Sequence, residues 1–62
     1  MPMIRVEMFE GRTPQQKKEF ALAVTREAVK ILKCSEDSVD LIYTDIKKQD
    51  WATAGVPWSD KS

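Results

Sequence analysis

The sequence predicts an α+β fold: a β-α-β unit with two parallel strands and one long helix, followed by a short C-terminal hairpin or hook. Three observations lead there. Met3 to Phe9 alternates apolar and polar side chains with a period of two. Thr13-Pro14-Gln15-Gln16 is a helix start, and apolar residues follow it at helical spacing. Val39 to Ile46 then returns to strand alternation.

In the first strand, Ile4, Val6 and Met8 share one face, and Met3, Arg5, Glu7 and Phe9 share the other. Pro2 stands at the strand's start, where a missing N–H costs least. Gly11 breaks the strand, because glycine suits a turn with unusual backbone angles. Thr13 then caps a helix. Its hydroxyl is placed to accept from the N–H of Gln16, and the Gln16 side chain reaches back. Pro14 occupies the first helical position, where its lost donor is an orphan anyway. The helix is expected to run to about Lys33, roughly 30 Å at 1.5 Å per residue. Phe20, Ala21, Val24, Ala28, Ile31 and Leu32 form its apolar stripe, with Lys17, Lys18, Glu19, Arg26, Glu27 and Lys30 turned to solvent.

Cys34-Ser35-Glu36-Asp37-Ser38 reads as a turn. In the second strand, Val39, Leu41, Tyr43 and Asp45 share one face, and Asp40, Ile42, Thr44 and Ile46 the other. The tail from Trp51 is punctuated by Gly55 and Pro57 and is expected to hook or form a hairpin there.

Length and composition narrow the rest. At 62 residues, the chain is expected to form a single domain over residues 1–62, with a marginal core. One cysteine, Cys34, rules out an internal disulfide, and a lone Cys without histidine gives no zinc-ligand spacing. No metal and no cofactor are expected. Ten basic and ten acidic residues cancel, which argues against nucleic acid as partner. No apolar run approaches the length of a membrane span and no signal pattern opens the chain, so a cytoplasmic location is expected. Without histidine, any general acid or base must be Asp, Glu, Lys, Tyr, Cys34 or the chain terminus.

A strand–helix–strand crossover requires parallel strands. Two strands under one helix leave one sheet face bare and both edges unpaired, an arrangement prone to association. Edge-to-edge pairing with a second copy gives a four-stranded sheet, whose bare face then packs on further copies. A dimer that builds into a larger assembly is therefore expected.

The opening Met-Pro, the seven-residue strand, Glu-Gly-Arg-Thr at 10–13, the Gln-Gln-Lys of the capped helix and the second strand after Ser35-Glu36-Asp37-Ser38-Val39 resemble the 4-oxalocrotonate tautomerase family. The likeness covers nearly the whole chain. It implies an assembly of dimers into a hexamer, homomeric or heteromeric. It also implies an enzyme that interconverts enol and keto forms of 2-oxo acids without a cofactor. Met1 would be removed and Pro2 would act as general base and acid through its free secondary amine. Arg12 would bind a substrate carboxylate in a neighbouring subunit's site. Trp51 would line the pocket, with Met8, Phe9, Ile42 and Ile46 completing its apolar wall. Asp40 departs from the pattern: the family's arginine at that position polarises the substrate, and here an acid replaces it. That puts turnover of a dicarboxylate in doubt and leaves Pro2 without a nearby cation. Asp40 is equally readable as a solvent-facing strand residue. The alternative function is a tautomerase-fold oligomer with little catalysis, acting as a binding or structural module. Thr53 stands near where hydrating relatives carry a glutamate and has no comparable basicity.

Overall fold

In the computed structural model, residues 2–61 are described. Strand β1 (Met3–Phe9) leads to helix α1 (Pro14–Leu32), a 3-10 turn at Glu36–Ser38 and strand β2 (Asp40–Ile46). A 3-10 turn at Lys48–Asp50, two short strands, β3 (Ala52–Thr53) and β4 (Val56–Pro57), and a last 3-10 turn at Trp58–Asp60 make the tail. β1 and β2 pair in parallel along their whole length, from Met3 opposite Asp40 to Phe9 opposite Ile46. β3 and β4 form a separate antiparallel hairpin. The β-α-β unit and the C-terminal hairpin are those the sequence predicts.

The helix begins as its residues require. Gln16 N–H donates to the Thr13 hydroxyl at 3.1 Å, and Thr13 N–H donates to Gln16 Oε1 at 2.9 Å. Two otherwise orphaned donors are thus satisfied. Upstream, Gly11 has φ +121°, an angle that side chains rarely adopt; no atom crowds it, so the backbone angle is the reason for glycine. The helix ends at Leu32 rather than Lys33, because Lys33 takes the left-handed conformation with φ 56°. β2 starts at Asp40, one residue later than Val39, which closes the preceding 3-10 turn through its N–H to Glu36. Thr13→Ala is expected to cost about 1 kcal/mol, read as a lower midpoint in urea at fixed protein concentration.

Ala21, Val24 and Ala28 face the sheet, and Ala28 is the one buried apolar residue among those described. The rest of the expected stripe is poorly covered. Phe20, beside the hollow that Val6, Met8 and Tyr43 line, is 48% exposed, and Ile31 and Leu32 are 67% and 60% exposed. For the last two the cause is dimensional. Nineteen helical residues span about 28 Å, while seven strand residues span about 23 Å. The last helical turn therefore overhangs the end of the sheet that holds Asp40. Lys17, expected in solvent, turns inward instead. Its Nζ lies 2.7 Å from Asp45 Oδ2, and its carbonyl accepts from the Tyr43 hydroxyl at 2.6 Å. These contacts fasten the start of α1 to β2 and confirm that Tyr43 and Asp45 lie on the helix side.

The other sheet face carries Met3, Arg5, Glu7 and Phe9 from β1 and Asp40, Ile42, Thr44 and Ile46 from β2. The tail covers only its far end. Trp51 packs on Phe9 at 4.6 Å between ring centroids, and Trp58 meets Phe9 edge-on at 5.5 Å. Trp58 N–H donates to the Trp51 carbonyl at 2.8 Å and its indole N–H to Thr53 Oγ1 at 3.0 Å. Ala54 and Gly55 both have positive φ at the hairpin tip, as a tight turn matched to strand twist requires.

The chain is a plate of 43 × 24 × 14 Å with a radius of gyration of 14.8 Å. A compact chain of this length would have a radius near ~10.6 Å. Its accessible surface is 5072 Å², against about 4,100 Å² for a compact monomer of this mass. The excess is comparable to one partner's share of a standard protein interface.

Candidate active site

The expected site residues fall at two ends of one short sheet. Pro2 directly precedes β1. It is half-buried, and its carbonyl accepts from Asp40 N–H at 3.0 Å. Asp40 is therefore Pro2's immediate neighbour across the strand pair, with an exposed side chain on the face away from the helix. Met1, whose removal the resemblance implies, lies outside the described residues.

At the opposite end stand Phe9, Ile46 and Trp51, on the same face as Asp40. Trp51 is half-buried against Phe9, and with Glu7, Ile46, Asp50 and Ala52 it lines a shallow hollow of about 270 Å³. Ile42 lies mid-strand on that face and is 48% exposed. Met8 does not join this wall. It points to the helix side and lines a second hollow of about 310 Å³ together with Val6, Arg12, Gln16, Lys17, Phe20 and Tyr43. Period-two alternation forces the separation, since adjacent strand residues Met8 and Phe9 must point oppositely.

Arg12 is exposed at the mouth of that second hollow, between the Gly11 turn and the helix cap. Among the described residues it enters no ion pair; the neighbouring cation Lys17 is already engaged by Asp45. A planar guanidinium beside an apolar hollow is equipped to hold a carboxylate with two parallel hydrogen bonds. Arg5 lies on the bare face, exposed, and also enters no ion pair among the described residues.

The distance between the two ends decides what one protomer can do. Seven strand steps from Pro2 to Phe9 span about 23 Å. Pro2 is thus far from Phe9, Trp51 and Arg12 of its own chain. The residues expected to form one site therefore stand in two groups that a single chain does not bring together.

The sequence reading did not single out Trp58. It holds Trp51 through a main-chain bond and Thr53 through its indole, and Lys61 Nζ sits 4.3 Å from its ring centroid. A signal was available: Trp51 and Trp58 are placed symmetrically about the Ala54-Gly55 turn, so a hairpin there must set them opposite each other.

Among the described residues, no helix is long and apolar enough to cross a membrane. A family model described as "Tautomerase enzyme" matches residues 2–61. A probable tautomerase of Listeria monocytogenes is 37% identical over 60 residues, covering 97% of this chain and 98% of that protein. The solved structure of YwhB, a homologue of 4-oxalocrotonate tautomerase, superposes with a TM-score of 0.94 at 31% identity, covering 98% of this chain and all of that one. A heterohexameric 4-oxalocrotonate tautomerase from Chloroflexus aurantiacus superposes at 0.91 with 27% identity, over the full length of both chains. These likenesses span the strand–helix–strand unit and the tail hairpin alike. The chain belongs to the tautomerase family.

Proposed function

We propose that this protein is a cofactor-independent tautomerase that interconverts enol and keto forms of 2-oxo acids, and that its active sites form between copies of the chain. The observation that carries the reading is the position of Pro2: half-buried, tethered through its carbonyl to Asp40, at the open end of the sheet. With Met1 removed, its nitrogen is a secondary amine instead of an amide. In the ketonisation direction, the neutral amine accepts the proton of the enol hydroxyl as the carbonyl forms. It then returns a proton to the carbon that was part of the double bond. Arg12 of another copy holds the substrate carboxylate. Trp51, Phe9 and Ile46 of another copy exclude water around the amine and favour its uncharged form.

Support for sites between copies comes from the ~23 Å between the two half-sites and from the exposed apolar residues Met3, Phe20, Ile31, Leu32 and Ile42. Together with the hexameric relative they support a hexamer, a trimer of dimers, made of this chain alone or with a second subunit. Asp40 narrows the substrate class. A carboxylate beside Pro2 repels a second substrate carboxylate, so a monoacid enol such as phenylenolpyruvate suits the site better than a dicarboxylate such as 2-hydroxymuconate.

The test is a pH–rate profile for ketonisation of both enols, with intact mass measured on the same sample. The mass is expected to lack Met1, and kcat/KM to rise with pH as the Pro2 ammonium loses its proton, near the α-amino range of about 8. Because a nearby carboxylate favours the protonated amine and a cation disfavours it, Asp40→Arg is expected to move that limb about one unit toward lower pH. A protein purified from its own cells with Met1 attached, and without turnover of either enol, would overturn the catalytic reading and leave an oligomeric binding module.

A further inference from the structure

We infer that Trp58 is a positioning residue: its indole, hydrogen-bonded to Thr53, clasps the tail hairpin shut and sets Trp51 against Phe9, where the apolar arm of the substrate packs. This deepens the proposed function, on which it rests, by naming what shapes the wall of that site.

The hairpin does not hold itself. β3 and β4 contribute two residues each, with Ala52 opposite Pro57 and Thr53 opposite Val56. Even an ordinary two-stranded hairpin is marginal on its own in water. Pro57 brings no N–H to the ladder. The tip is strained as well. Ala54 takes φ 55°, a left-handed conformation that a side chain disfavours. Such a conformation persists where its surroundings over-determine it.

Nor does Trp51 anchor its own ring. Among the described residues its indole N–H meets no acceptor, so no hydrogen bond orients that side chain. Its place is set by the Phe9 ring, 4.6 Å away, and by the main chain on which it stands. Trp58 secures both. Its backbone N–H donates to the Trp51 carbonyl at 2.8 Å. Its ring meets Phe9 edge-on at 5.5 Å, so Phe9, fixed at the end of β1, is gripped by two indoles. Its indole N–H donates to Thr53 Oγ1 at 3.0 Å, which ties the end of the hairpin back to β3. Lys61 Nζ, 4.3 Å from the ring centroid, adds a cation–π contact.

These contacts differ in what they ask of the side chain. The backbone bond survives any substitution that keeps an N–H. Phenylalanine keeps part of the edge contact. The Thr53 bond is the one that needs tryptophan, since the indole joins an apolar body to a donor. Thr53, which has no basicity to offer the chemistry, serves here as the acceptor.

The consequence falls on one class of substrate. An apolar wall touches the arm of a bound enol equally in the ground and transition states, so loosening it raises KM and spares kcat. An enol with a carboxylate at both ends has no such arm to lose.

Three variants test the inference. Trp58→Phe and Thr53→Val each delete the indole bond, and Trp58→Ala deletes the edge contact too. KM for phenylenolpyruvate is expected to rise about three- to tenfold in the first two, the worth of one hydrogen bond, and further in Trp58→Ala. Turnover number, and KM for 2-hydroxymuconate, are expected to stay within about twofold. The pair T53V/W58F is expected to match Trp58→Phe, because both substitutions remove one bond. A second reading needs no turnover. With 5-fluorotryptophan incorporated, Trp51 gives the fluorine resonance that persists in Trp58→Phe. In Thr53→Val, which keeps both rings, that resonance is expected to move toward the position of the free amino acid. A Trp51 resonance unmoved by Thr53→Val, equal rises in KM for both enols, KM unmoved in Trp58→Ala, or additive losses in T53V/W58F would each overturn the inference. Absence of turnover in the wild type overturns the catalytic reading alone, and the resonance still decides the clasp.

Discussion

Pro2→Ala is expected to lower kcat/KM for enol ketonisation by about two to four orders of magnitude, the usual worth of a positioned acid–base group. Alanine also permits removal of Met1, so the variant retains an α-amino group. What it loses is the pyrrolidine ring, which holds the nitrogen in one direction relative to the chain and makes the amine secondary. Structure is expected to be little affected. The residue precedes β1, and its tether to the sheet is a main-chain carbonyl that alanine supplies equally, bonded to Asp40 N–H at 3.0 Å. Circular dichroism and sedimentation should therefore match the wild type while progress curves flatten. Turnover within twofold of the wild type, with mass confirming the substitution, would remove the Pro2 amine from the chemistry.

Arg12→Ala is expected to raise KM by roughly ten- to a hundredfold, since a hydrogen bond to a charged group contributes about 1.5–3 kcal/mol. The structural cost is small. The Arg12 side chain is exposed and enters no ion pair among the described residues, and the helix cap is made by Thr13 and Gln16. Arg12→Lys should recover part of the loss, because an ammonium keeps the charge without the two-pronged geometry. If Arg12 holds the carboxylate equally in ground and transition states, kcat stays within a few-fold. Unchanged KM for both enols would assign Arg12 to the solvated turn.

The fold was legible because its signals are local. Alternation in Met3–Phe9, the reciprocal cap at Thr13 and Gln16, and the Gly55 turn each fix a short stretch of backbone, and each stands where its residues require. The helix face was read less well. Phe20, Ile31 and Leu32 follow helical spacing as faithfully as Ala28 does, but spacing cannot tell which neighbour covers them. A two-stranded sheet is too narrow and too short to do so. Lys17 was misread for a related reason: its charge says solvent, and only the tertiary position of Asp45 and Tyr43 draws it inward. For the expected site residues, the alternation of Met3–Phe9 already sets Pro2 before the strand and Arg12 beyond it. What it does not state is that Trp51 folds back onto Phe9 at the Arg12 end, a tertiary contact.

The far end of β1 is also where the tail's aromatic hook closes over Phe9, and the near end owes it nothing. If each finished pocket borrows one end from each of two molecules, the ends evolve as separate parts. After a gene duplication, one daughter chain is free to lose its proline end and the other its hooked end, provided the two stay together. Division of labour between sister subunits is then a short step from a chain built this way.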